Sequence, residues 1–407
     1  MTPLKRSLNS ENIYILGTGN FGRLVLQGLR RLGLKPHAFI DLNPLNVGKS
    51  IDGIYVKSLV EVLKGHVIVA SNRNNIKYLY GLLDKNVGLT YDLCDFVFDD
   101  FVYEEIDLDW SPARVTSEIK NFLMRVKDGD RDGLGVSLNS LDIVLTEKCS
   151  LKCKDCSNLM QYYTAPKNSD HVSLLEELGV VLAAVDRISE VRLIGGEPLL
   201  YKNLDEVLFF LSSFDNFGEI VIYTNGTIVP KESLLSVSTD PRFRYQISDY
   251  GSLSKNTSKL VETLSEKNIR YVHDRVLSWQ DCATIDRKNR SPEQTEFVYS
   301  NCCVNDAFTL LHGKIFGCPF SAHAENLNAI PMFKKDSVDI RTLNTSQIVA
   351  RLKELKNIRF LGACSYCNGR DYTVAKVPAA IQTSQPLHYM PIKEPLQNPR
   401  SHKVSER

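Results

Sequence analysis

The stretch Thr146-Glu147-Lys148-Cys149-Ser150-Leu151-Lys152-Cys153-Lys154-Asp155-Cys156 decides how the rest of this chain is read. Its three cysteines, spaced C-x3-C-x2-C, follow directly on the apolar run Leu141-Asp142-Ile143-Val144-Leu145, which reads as a strand. Thiolates at that spacing form a compact loop able to grip one metal centre. A tetrahedral zinc or a structural 4Fe-4S cluster is satisfied by four thiolates. Three therefore leave a position open, to another residue or to a small molecule. A zinc knuckle fragment or a set of buried thiols would also account for the cysteines taken alone. Neither requires the glycine motif that comes one strand-helix unit later.

That motif is Gly195-Gly196-Glu197-Pro198, at the end of the strand Val191-Arg192-Leu193-Ile194. Two glycines let a backbone approach a ligand with no side chain in the way. Next come Ile220-Val221-Ile222-Tyr223-Thr224-Asn225-Gly226, a strand ending in a turn, and Tyr245-Gln246-Ile247-Ser248-Asp249-Tyr250. Together these residues resemble the radical S-adenosylmethionine superfamily. The resemblance implies that Cys149, Cys153 and Cys156 hold a 4Fe-4S cluster with one iron free for S-adenosylmethionine (SAM). It further implies that Gly195, Gly196, Glu197 and Pro198 receive the methionine amino group, that Thr224-Asn225 supply a strand-end turn, and that Ser248 and Asp249 hold the ribose. One departure is visible: the position before the third cysteine is usually aromatic in this family, and here it is Asp155.

With 407 residues, the chain has room for two or three domains at roughly 150 residues each. A net charge of +1 and a charged fraction of 24% give no sign of a nucleic-acid or membrane-surface partner. No apolar run approaches the roughly 18 residues of a spanning helix, and the start Met1-Thr2-Pro3-Leu4-Lys5-Arg6 lacks a signal-peptide core. A cytoplasmic location is expected. The ten cysteines then read as reduced thiols or metal ligands rather than disulfides. Seven belong to two cluster motifs; Cys94, Cys282 and one of the pair Cys302 and Cys303 read as packing residues.

The expected fold class is α/β: an N-terminal Rossmann-like domain over residues 1–90, a linker with a helix over 91–136, and a partial (β/α)6 TIM-type barrel over 137–300. A small Fe-S auxiliary domain over 301–375 and an extended or disordered tail over 376–407 complete it. In the first segment the strand Ile13–Leu16 leads into Gly17-Thr18-Gly19-Asn20-Phe21-Gly22, a G-x-G-x-x-G turn, and then a helical apolar period. The strand His37–Ile40 ends in Asp41, about twenty residues on. Gly17, Gly19 and Gly22 would set a phosphate at the helix N-terminus and Asp41 would meet a ribose hydroxyl. The continuation through Gly48 and Ile51-Asp52-Gly53-Ile54 resembles the small nucleotide-binding domain attached to sugar-modifying acetyltransferases, methyltransferases and epimerases. Its ligand is expected to be NAD or a nucleotide-sugar, or else the domain is a ligand-free platform. A helix pattern through Ile76, Leu79, Leu82 and Leu83, an acidic and aromatic stretch from Asp92 to Trp110, and a helix opening at Ser111-Pro112 follow, closed by Asp128–Gly133.

Past residue 300, Asn301-Cys302-Cys303 precedes a hairpin with His312-Gly313 at its turn and Cys318 after its second strand. Cys364-Ser365-Tyr366-Cys367 comes after the helix pattern Ile348, Leu352, Leu355. Cys303-x9-Gly313-x4-Cys318 with the final C-x2-C resembles the half-size "twitch" auxiliary domain of radical enzymes, which implies a second 4Fe-4S cluster on Cys303, Cys318, Cys364 and Cys367. Cys302 is the alternative to Cys303, and a zinc ribbon would use the same residue types. His273, His312 and His323 read as surface or packing residues.

The function so implied is reductive cleavage of SAM to a 5'-deoxyadenosyl radical that takes hydrogen from a small hydroxylated substrate, such as a nucleotide-linked sugar. The auxiliary cluster would either accept an electron from the substrate radical, making the enzyme an oxidoreductase, or merely anchor the fold, and a flavodoxin- or ferredoxin-type protein would donate the electron. The alternatives are a peptide-modifying radical enzyme and a non-catalytic iron-sulfur carrier or sensor.

Overall fold

The computed structural model describes residues 12–61, 65–70, 83, 90–92, 135–370 and 374–390. The expectations for Cys94, for the helices at 76–82 and from Ser111, for the boundary at Asp128–Gly133 and for residues 391–407 fall outside them.

Near the N-terminus, β1 (Ile13–Leu16), β2 (Ala38–Ile40), β3 (Ser50–Ile51), β4 (Ile54–Lys57), β5 (His66–Val69) and β6 (Thr90–Asp92) form one sheet in the order β3-β4-β2-β1-β5-β6. Only β3 runs antiparallel to its neighbour. Between β1 and β2 runs α1 (Asn20–Arg31), which buries Leu24, Val25 and Leu29. The glycine turn has a steric basis: Gly17 has φ +111°, and a Cβ on Gly22 would sit 2.0 Å from the Gly17 carbonyl oxygen. The helix can approach its own strand that closely only without a side chain there.

The larger sheet carries β7 (Ser137–Thr146), β8 (Arg187–Gly195), β9 (Phe217–Thr224), β10 (Phe243–Asp249) and β11 (Tyr271–Arg275), paired in sequence order and all parallel. The helices α2 (His171–Ala184), α3 (Leu204–Ser212), α4 (Glu232–Val237) and α5 (Thr257–Glu266) return the chain between them. This alternation is the pattern that folds into a parallel sheet with covered faces. Leu141, Ile143, Leu193, Ile220, Ile222 and Phe243 pack outward against those helices in one continuous core.

The sheet continues past the boundary expected at residue 300. After the short β12 (Ser278–Gln280) and α6 (Pro292–Ser300), the hairpin β13 (Ala307–Leu311) and β14 (Lys314–Phe316) joins it on the far side of β7. β13 pairs parallel with β7, Ala307 opposite Ser140, and β15 (Ser337–Asp339) extends the edge beyond β14. The sixth parallel strand is thus supplied by the segment expected to be a separate auxiliary domain, because β7 has an edge that β8 does not cover. The hairpin turn is as expected: His312 at φ +48° and Gly313 at φ +70° form the two-residue turn whose twist suits antiparallel strands. α7 (Pro319–Asn326) and α8 (Thr345–Lys356) follow, α8 burying Ile348, Leu352 and Leu355.

Over the described residues 376–390 the tail is extended and fastened to the barrel. β16 (Lys376–Pro378) pairs antiparallel with β12, and Cys153 and Gln382 form a further antiparallel bridge. Backbone hydrogen bonds hold this segment, so the missing apolar period did not signal disorder.

Candidate active site

The carboxyl ends of β7, β8, β9 and β10 converge on a cleft of about 220 Å3 rimmed by Cys149, Cys153, Cys156, Gly195, Asn225 and Ser248. Each follows from local structure. The strand ends at Thr146, whose carbonyl accepts from Gly196 N at 2.8 Å, and Lys148 O accepts from Glu197 N at 2.9 Å. These bonds lay the glycine turn against the cysteine loop so closely that a Cβ on Gly196 would lie 2.2 Å from Lys148 O and 2.9 Å from Cys149 Cβ. Asn225 Nδ2 approaches Cys149 Sγ at 3.6 Å.

The three thiols are what a metal site of thiolates requires. Burial pushes Cys149 up to about 12 and Cys153 up to about 11, and Cys156 also rises. Cys156 adds to the rise at both of the first two, and Cys153 adds to it at Cys149. Buried thiols gathered in one place resist ionisation until a metal supplies the charge. Tyr250 and Trp279, edge to face with centroids 5.5 Å apart, pack round this loop. They put aromatic surface there although Asp155 does not.

Two of the residues expected at the ligand, Glu197 and Asp249, are engaged by groups of the protein itself. Glu197 is fully buried and accepts from Thr224 Oγ1 at 2.9 Å, Asn225 N at 2.8 Å and Leu199 N at 3.2 Å, its carboxyl pushed up to about 7 by burial. It braces the glycine turn against the Thr224-Asn225 strand end, while Gly195, Gly196 and Pro198 face the cleft. Asp249 directs its carboxylate to His273 Nε2 at 3.1 Å, Arg275 at 3.0 Å and Gly251 N at 2.7 Å, leaving Ser248 on the cleft.

A second group of thiols lines an apolar cavity: Cys282, Cys302, Cys318, Cys364 and Cys367, with Arg370. Burial pushes Cys318 up to about 12 and Cys367 up to about 11. Cys303 is exposed and stays outside this cavity, so Cys302 is the thiol that faces the group; the turn that follows α6, with Asn305 N on Cys302 O at 3.3 Å, sends the two side chains apart. Cys282, read from sequence as a packing residue, stands in the wall and accepts from Arg370 Nε at 3.2 Å. The C-x2-C turn is clamped by Arg290, whose guanidinium donates to Cys364 O at 3.0 Å and Cys367 O at 2.7 Å. Arg370 lies within electrostatic reach of both Cys156 and Cys302. Among the described residues no three His, Cys, Asp or Glu side chains gather tightly enough for a single metal ion.

Sequence reading missed the interior of the barrel. At alternate positions Asp142, Glu190, Glu219, Arg244 and Gln246 are buried polar groups inside strands that read as apolar runs. Arg192 pairs with Asp142 at 2.5 Å, Arg244 with Glu219 at 3.1 Å, and Gln246 donates to Asp274 at 2.9 Å. Burial pushes Asp142 up to about 6, against the pull of Arg192. The signal available was the period of two that sends such residues to one face.

The family model of the radical SAM superfamily matches residues 143–237, which hold the cysteine loop, the glycine turn and the Thr224-Asn225 strand end. The chain carries a radical SAM domain. Its curated relatives include GTP 3',8-cyclases of Stenotrophomonas maltophilia (strain K279a), 36% identical over 101 residues, and of Campylobacter jejuni, 31% identical over 152 residues. The first alignment covers 25% of this chain and 30% of the relative, the second 37% and 44%. The chain therefore spans less than half the length of these relatives. Among solved structures, BtrN in complex with AdoMet and 2-DOIA is similar at 18% identity, covering 58% of this chain and 94% of that one with a TM-score of 0.38. Native anSMEcpe with bound AdoMet is similar at 14% identity, covering 54% and 80% with a TM-score of 0.37.

A radical SAM domain brings a 4Fe-4S cluster and SAM as its cofactors, and the three thiols and the side-chain-free glycine turn fit them. Nothing in the comparisons supports NAD or a nucleotide-sugar at the N-terminal sheet. Asp41, expected at a ribose, is already engaged by Asn43 N at 2.8 Å, Asn46 Nδ2 at 3.1 Å and Thr18 Oγ1. Gly19 is the N-cap of α1 and has open space before it. No helix among the described residues is long and apolar enough to cross a membrane.

Proposed function

We propose that this chain is a radical SAM enzyme that takes a hydrogen atom from a small, hydroxylated substrate held in the polar interior of its barrel. The observation that carries the reading is the convergence of Cys149, Cys153 and Cys156 with Gly195, Asn225 and Ser248 on one cleft. With both cofactors bound, the cysteine-loop cluster and SAM would supply the means of taking a hydrogen atom from the substrate, and an auxiliary cluster would supply an electron acceptor. The chain's own residues do the rest. Cys149, Cys153 and Cys156 hold the metal; Gly195, Gly196 and Pro198 leave room for the methionine end of SAM; Ser248 and Asn225 offer hydrogen bonds along the cleft. Asp142, Arg192, Gln246 and Asp274 present donors and acceptors to hydroxyl or amino groups, and their fixed mutual bonds keep them oriented without bulk water. Cys302, Cys318, Cys364 and Cys367 would hold the auxiliary cluster, which would suit an oxidation. A flavodoxin- or ferredoxin-type protein is the electron donor, and the N-terminal sheet is a Rossmann-like platform.

The test is anaerobic reduction of the full chain with SAM and a panel of hydroxylated metabolites that includes GTP, the substrate named by the curated relatives. Wild type should yield 5'-deoxyadenosine and Cys153→Ala none. Equal yield from the variant would overturn the reading.

A further inference from the structure

The C-terminal segment crosses the cysteine loop and places one side-chain donor on a thiol. After β16, Ala379 N bonds Leu277 O at 3.0 Å and Ala380, 3% exposed, packs with Leu151 and Cys153. Lys154 N then donates to Ile381 O at 2.7 Å, and Thr383 N to Lys152 O at 2.7 Å. Between these rungs lies Gln382. Its Oε1 accepts from Lys152 N at 2.7 Å, and its Nε2 donates to Ala380 O at 2.8 Å and to Cys153 Sγ at 3.3 Å. Further on, Leu387 N bonds Gln161 O at 2.7 Å and Tyr389 Oη bonds Leu327 O at 2.7 Å.

The amide has only one workable orientation. Turned over, its NH2 would face the Lys152 N–H and its oxygen the Ala380 carbonyl, donor against donor and acceptor against acceptor. Lys152 thus aims the Gln382 N–H at Cys153. A hydrogen bond to a thiolate withdraws electron density from the sulfur, and such bonds make a cluster easier to reduce.

We propose that Gln382 is a positioning residue of the cysteine-loop metal centre, which raises the reduction potential of the cluster through its N–H on Cys153 while the strap around it shields the loop. This rests on the radical SAM reading of that loop. The test uses the full chain, anaerobically reconstituted, as wild type, Gln382→Met and Gln382→Glu. Iron per chain and a redox titration of the cluster's EPR signal, with and without SAM, are the readouts. The methionine has similar length and no donor; the glutamate keeps the acceptor for Lys152 N, loses the donor and adds negative charge.

Iron should stay at the wild-type level in at least one variant. At the wild-type midpoint the reduced-to-oxidised ratio should fall about tenfold, which for one electron is about 59 mV, and further in Gln382→Glu than in Gln382→Met. An unmoved midpoint with iron retained would overturn the proposal, and so would loss of the cluster in both variants, the mark of a purely structural strap. A wild-type signal that SAM does not alter would remove the radical SAM reading and this inference with it; a SAM-sensitive signal with unmoved variants removes this inference alone.

Discussion

Gly196→Ala is the sharpest test of how the glycine turn meets the cysteine loop. The added Cβ would lie 2.2 Å from Lys148 O and 2.6 Å from Lys148 C, both backbone atoms that no rotamer change can move aside. Ordinary contact begins near 3.4 Å, so the turn has to back away by about an ångström. That displacement breaks or stretches Gly196 N to Thr146 O and Glu197 N to Lys148 O, each a net loss of about 1 kcal/mol. Overpacking adds about 1–3 kcal/mol, for a total of about 3–5 kcal/mol. Gly19→Ala is the control, because its Cβ would meet nothing within 4 Å and its φ is −72°. Urea unfolding of the full chain, metal-free and reduced, followed by circular dichroism, reads the difference. SAM affinity of the reconstituted protein should fall with it, since the turn lines the cleft. If Gly196→Ala unfolds at the same urea concentration as Gly19→Ala, the close approach is not real and the reasoning fails.

Two further outcomes can be checked. Cys302→Ser should lower iron from about eight to about four per chain while Cys303→Ser leaves it unchanged, because only Cys302 faces the second thiol group; iron lost in Cys303→Ser and kept in Cys302→Ser would return the choice to Cys303, and iron kept in both would refute the assignment. His323 is buried with Nδ1 on Tyr163 Oη at 2.9 Å, and burial lowers it from 6.5 to about 4. The unfolded chain therefore takes up this proton first, so the contribution is intact above pH 6.5 and lost as pH falls toward 4, by roughly 3 kcal/mol in all. His323→Asn, which keeps a partner for Tyr163, should flatten the stability profile in that window relative to wild type, and an identical slope would refute the assignment.

What could be read from the chain itself were features whose cause is local. The C-x3-C-x2-C loop, the Gly195-Gly196 turn and the His312-Gly313 hairpin each depend on residues within a few positions, and each strand announces itself by its own apolar run. What escaped depends on partners far along the chain. Cys282 belongs to no spacing motif and reaches the second thiol group only because β12 carries it there. Cys302 and Cys303 are indistinguishable until the backbone turns one of them outward. The charges inside the barrel interrupt strands that looked simply apolar, and their meaning appears only when Asp142 of β7 comes opposite Arg192 of β8. The tail was opaque for another reason: backbone hydrogen bonds fasten it, and they use atoms common to every residue.

The strand β13 gives these arrangements a mechanical consequence. Because it is laddered directly to β7, the chain from Cys302 to Cys318 and the loop from Cys149 to Cys156 are anchored on neighbouring strands of one sheet. Rigid-body swinging of one thiol group away from the other would have to tear that ladder, so the sheet itself holds the two groups at a fixed separation and any movement near them must come from loops or from the C-terminal strap.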